Sequence, residues 1–155
     1  MNKWKIPPVI KIYEALGAIA DERIIAEGDK AQVYSSEGNK QYDVMFSKAD
    51  NAIMSNDNGS YWVGHLGHPS IAYLMQRGIL EYIPEYGEAL KNIKWKGINT
   101  KNKNDFSLTQ KDIDQIIVQK SVNLDEFYLY LANTMKKIED LDLDLLGNKI
   151  LPPKE

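Results

Sequence analysis

Two neighbouring runs of alternating character constrain this chain more than any other feature. Ala31, Val33 and Ser35 alternate with Lys30, Gln32 and Tyr34; after a Glu37-Gly38-Asn39 turn, Tyr42, Val44 and Phe46 alternate with Gln41, Asp43 and Met45. Successive side chains of an extended strand point to opposite faces, so such runs bury one face each when they pair across a glycine turn. A short apolar run at 24–26 precedes them through a Gly28-Asp29 turn, and another at 52–54 follows. The expected outcome is a small antiparallel meander.

Helical periodicity brackets the meander. Pro7-Pro8 is a start signal, and Val9, Ile12, Tyr13, Leu16 and Ile19 then recur at helical spacing. Residues 70–78 read as a helix closed by Gly78, whereas Pro84 argues for irregular chain over 81–87, with a short helix over 88–93. Thr109 with Asp112 suggests a further helix start, and Ile113, Ile116 and Ile117 give it an apolar face. Asn123 with Glu126 forms a capping-box pair ahead of Leu124, Phe127, Leu131, Met135, Ile138, Leu141 and Leu145, a pattern expected to run on until Gly147. The reading is one α+β domain over 1–155: an N-terminal helix, a small antiparallel meander, then a mostly helical C-terminal half with its helical segment at 107–147.

Composition excludes several classes. At 155 residues with 43% apolar and 26% charged side chains, the chain has material for one real core. Its N-terminal residues lack a secretion-type apolar stretch, and no apolar run approaches the roughly 18 residues of a membrane span. Cysteine is absent, which removes disulfides, thiolate nucleophiles and thiolate metal sites. A cytoplasmic location is the expectation. The net charge of -3 conceals an uneven distribution: residues 91–104 carry five lysines and no acid.

The order helix, strand, hairpin, turn and helix over residues 19–75, with the hairpin reading Ala-Gln-Val-Tyr-Ser-Ser-Glu-Gly-Asn-Lys-Gln-Tyr-Asp-Val, resembles the SWIM module. That module is a small ββα zinc finger with the pattern CxC, a variable stretch, then CxH opening a helix. On this chain the resemblance, with its core at 24–78, sets the ligand positions at Ser55 and Asp57 and near Gly67 and Pro69. None is cysteine and the last holds proline, so the resemblance implies a module without zinc. It also implies a DNA-handling or protein-bridging role.

The polar loop at 55–69 gathers three glycines, the aromatic pair Tyr61-Trp62 and both histidines. Two imidazoles, His65 and His68, with Asp57 form the remote case for a metal-dependent hydrolase. The simpler reading makes His65 an exposed loop residue and puts His68 beside a helix N-cap. Ser60 lacks a nucleophile elbow, and Asp140, Asp142 and Asp144 read as a solvated helix end. No phosphate-binding or metalloprotease motif occurs, so no cofactor, metal or catalytic residue is assigned and an enzyme is not expected. Tyr61 and Trp62 either stack on a ligand or plug the core, burial being the ordinary fate of large aromatics.

The basic strip is the other binding candidate. Lys91, Lys94, Lys96, Lys101 and Lys103 surround Trp95 and alternate with asparagines, a combination able to meet phosphates and stack on a base. The plainer alternative is a polar connecting loop anchored by Trp95. The helix at 123–146 offers a seam for a protein partner or for self-association. Taken together, the residues point to a binding or adaptor protein, possible in a DNA-related complex, with nucleic-acid binding through 91–104 as the alternative.

Overall fold

The computed structural model describes residues 2–154. Helix α1 (Ile10–Ala20) leads into strands β1 (Ile24–Glu27), β2 (Lys30–Tyr34), β3 (Gln41–Ser47) and β4 (Ala52–Ser55). A single wide turn at Gly59–Val63, closed by the Gly64 N–H donating to the Gly59 carbonyl at 2.9 Å, precedes α2 (His68–Gln76). Then come α3 (Pro84–Ala89), α4 (Trp95–Lys101), α5 (Phe106–Gln119), α6 (Leu124–Leu141) and the short β5 (Asp144–Leu145). The fold is α+β, and the sheet order follows the sequence from β1 to β5. Pairing is antiparallel throughout, except that β5 runs parallel to β4.

Alternation sets the register. Ala31 lies opposite Val44 and Val33 opposite Tyr42, so these four share the buried face, while Gln32 and Asp43 share the exposed one. Phe46 stands opposite Ile53, and its ring lies 5.8 Å from that of Tyr73 on α2. Helix α2 is packed between the sheet and α1, which explains why every residue from Pro69 to Met75 is buried rather than one stripe. On the far side of α1, the Tyr13 ring meets Phe127 of α6 edge to face at 5.1 Å, and Phe127 in turn meets Tyr86 of α3 at 4.9 Å.

The chain departs from expectation in its C-terminal half. Pro84 does not forbid a helix; it occupies the first turn of α3, where a missing N–H costs nothing. Residues 91–104 are not a plain connecting loop, because their middle forms α4. Helix α5 begins at Phe106, ahead of Thr109, because Asp105 caps it by accepting from the Ser107 and Leu108 N–H groups at 3.0 and 3.4 Å. Asn123 caps α6 as the sequence indicates, its Oδ1 accepting from the Glu126 N–H at 3.0 Å. That helix stops at Leu141, before Gly147, since Asp142 turns to φ 48° and frees Leu145 to pair with Ile53. Asp140, Asp142 and Asp144 therefore share no helix face, and Asp144 is buried with its carboxylate 2.9 Å from Lys3 Nζ.

The start of the chain covers this last strand. Trp4 donates from its backbone N–H to the Leu143 carbonyl at 3.0 Å and from Nε1 to the Ile53 carbonyl at 2.7 Å, and Leu145 donates to the Asn2 carbonyl at 2.7 Å. Among the described residues, no helix is long and apolar enough to cross a membrane.

Candidate ligand-binding pocket

Helix α1 is apolar along nearly its whole length, yet Glu14 sits on it at only 5% exposure. A carboxylate is held in such a place by neighbours that compensate its charge. Lys11, one helical turn earlier, places Nζ 3.0 Å from Glu14 Oε2, and the His68 ring approaches the same oxygen at 3.7 Å. Asn99 of α4 donates from Nδ2 to Oε1 at 3.5 Å. Burial alone would push the Glu14 carboxyl up, but these partners hold it below its ordinary value. Lysine supplies most of that effect at neutral pH, because burial, helped by Lys11 and Arg23, outweighs the pull of Glu14 and lowers His68 to about 4.

These groups form one wall of a cavity of about 340 Å³. The β2–β3 hairpin supplies a second wall through Ser35, Lys40 and Tyr42, and α4 supplies a third through Trp95, Lys96 and Asn99. The hairpin and α4 are tied together, since Lys94 donates from Nζ to the Ser36 carbonyl at 3.0 Å and the Trp95 N–H donates to Ser36 Oγ at 3.0 Å. Tyr42 presents its ring edge to face against His68 at 5.7 Å. Arg23 lines the cavity with its fork already engaged: Nε donates to Asp21 at 3.1 Å and Nη1 to the Tyr34 carbonyl at 2.6 Å, while Nη2 is buried without a hydrogen-bond partner.

The floor next to His68 is a hydroxyl–carboxylate knot. Asp57 Oδ1 accepts from Ser55 and Ser60, each at 2.7 Å, and Ser70 donates to Ser55 at 2.8 Å. Gly67 packs so closely on this carboxylate that a Cβ there would lie 2.0 Å from Oδ2, which requires glycine. Ser55 and Gly67 thus both close on the Asp57 carboxylate.

Of the residues singled out from the sequence, Asp57, His68, Trp95 and Lys96 line the pocket. His68 is the first residue of α2 rather than lying just before it, one place after the capping residue Gly67. The others lie elsewhere. His65 is not exposed: its ring is buried over Gly59, with Nδ1 2.9 Å from the Leu66 carbonyl. Trp62 is not a core plug, being 68% exposed with its ring 4.6 Å from half-buried Tyr61. Lys91 approaches Glu88 at 3.9 Å, and Lys101 and Lys103 are exposed outside the pocket lining. Trp95 is 4% exposed, so it is a wall and not an open stacking platform. The two histidines take different partners, and among the described residues no three His, Asp or Glu side chains are grouped to hold a metal ion. The apolar seam of α6 faces this chain's own core through Phe127, Tyr130, Leu131 and Ile138, leaving Tyr128 and Leu129 outward.

Lys11, Glu14, Arg23 and Tyr42 escaped sequence reasoning. One signal for the first two was present, a Lys–Glu pair three apart inside an otherwise apolar helix. Nothing in the sequence reveals that the hairpin tip and α4 would close over it.

Fold and site define a small α+β domain with a charged pocket at the junction of its sheet and helices. The chain belongs to the family described as "Uncharacterised conserved protein UCP014422", whose model matches residues 4–144. No curated protein and no solved structure matches it.

Proposed function

We propose that this is a cytoplasmic, non-enzymatic binding protein whose working site is the pocket between α1, the β2–β3 hairpin and α4. One observation carries the reading: Glu14, Arg23 and His68 are held in the wall of a concave site, where burying charge and polarity is costly without a role for it. Such a site takes a small polar ligand. Thr100 is exposed at the rim, so Thr100→Trp should block entry while leaving the core untouched. The test is to incubate both proteins with a cell metabolite extract, re-isolate them and identify retained compounds by mass spectrometry. A compound held by the wild type and absent from the variant supports the pocket; identical, empty spectra would sink it.

A second reading, an adaptor that meets a protein partner, has its own support in the exposed Trp62 and its neighbour Val63, 54% exposed. The SWIM resemblance adds a DNA-related complex as the setting, and a nucleic acid meeting Lys96, Lys101 and Lys103 is the variant of this reading that salt would weaken. Trp62→Ala should leave stability within about 0.5 kcal/mol of wild type, as for most surface changes, and abolish co-purification of the partner. Unaltered co-purification removes Trp62 from the interface.

A further inference from the structure

We infer that the pocket's ligand is a phosphomonoester of a polyhydroxylated small molecule, a sugar phosphate or a nucleoside monophosphate; this rests on the pocket being the working site. The cationic groups come first. Lys11 on α1, Arg23 at the entry to β1, Lys40 on the hairpin and Lys96 on α4 all line one cavity, approaching it from four separate segments. Charges arriving from several directions suit a tetrahedral dianion, whose oxygens point several ways.

An arginine grips either a carboxylate or a phosphate best through two parallel N–H groups. In Arg23, Nε already serves Asp21 and Nη1 the Tyr34 carbonyl, so two of its five N–H groups are committed within the fold and Nη2 is left without a partner. The lysines act as point charges, which meet phosphate well without planar geometry.

The remaining lining specifies what the phosphate is attached to. Asn58, Asn99, Asn104 and Thr100 offer both donors and acceptors, and the three carboxylates of the lining, Glu14, Glu37 and Asp57, offer acceptors, which is the chemistry of hydroxyl recognition. Tyr42 and Trp95 form the apolar part of the wall, which suits the carbon side of the ligand. His68, uncharged at neutral pH, adds a hydrogen-bonding edge and no competing charge. At about 340 Å³ the cavity holds one small molecule and not a strand.

The experiment is isothermal titration of the full chain with ribose 5-phosphate, AMP, ribose, adenosine and malate. Ribose 5-phosphate or AMP should bind at least about thirtyfold more tightly than its dephosphorylated counterpart, and Lys96→Ala should weaken that binding about tenfold with an unchanged unfolding midpoint. Preference for AMP identifies a nucleotide and preference for ribose 5-phosphate a sugar phosphate; either supports the inference. Ribose, adenosine or malate binding as tightly as the phosphates, and lost in Thr100→Trp, overturns the phosphate assignment while the pocket stands. No binding of either phosphate at roughly 5 mM also overturns it. The pocket itself falls only if the metabolite-extract comparison is empty as well.

Discussion

At the scale of single residues, the most consequential placement is His68 between Glu14, Lys11, Asp57, Arg23 and the Tyr42 ring. Its folded value of about 4 lies below the ordinary 6.5, so folding favours the neutral ring. The unfolded chain then takes up a proton as pH falls through 6.5, while the folded chain resists until about 4. Stability from this group is therefore complete above 6.5 and drains away between those two values. Glu14, lowered from 4.5, loses its contribution only further into acid. Urea midpoints compared at about pH 7 and about pH 5 should fall for the wild type, and the fall should be clearly smaller in His68→Gln. Equal slopes in both proteins would mean that the ring is solvated and carries no such coupling.

Among elements, those with a local sequence signal were legible and those decided by tertiary contact were not. The hairpin of β2 and β3 was legible because alternation and a glycine turn act over a few residues. Helix α6 began where Asn123 and Glu126 indicated, for the same reason. The start of α5 was missed because Thr109 resembles a cap, but its hydroxyl instead donates to Asn99 at 3.1 Å, and Asp105 does the capping. Asp105→Ala should cost about 1 kcal/mol, the usual price of an N-cap, measured by urea titration. A change below a few tenths would show that α5 is held by packing alone. The C-terminal strand was illegible on principle: Leu145 continues the helical spacing of α6, and only pairing with Ile53 turns it into β5. The pocket was half legible. Trp95 and Lys96 stood out within the basic strip, whereas Glu14 left only its pairing with Lys11 as a signal, and its burial is decided by α2 and α4 closing around it.

At the scale of the whole molecule, the two ends of the chain hold each other. Trp4 packs against the core, bonds Ile53 and Leu143, and covers the parallel pairing of β4 with β5. Trp4→Ala removes a half-buried ring and its hydrogen bond, and should lower stability by about 2–3 kcal/mol, less than the loss at a fully buried site. A thermal midpoint unchanged from wild type would show that β5 needs no cover. The same long-range closure governs how the protein comes into being on the ribosome. Tyr13 leaves the ribosome well before its partner Phe127 and before the strand that pairs with β4. Helices α2 and α3 can cover much of the first helix as soon as they follow it, but the face of Tyr13 that meets Phe127 stays open until that residue is made, which leaves a transient apolar patch on the nascent chain.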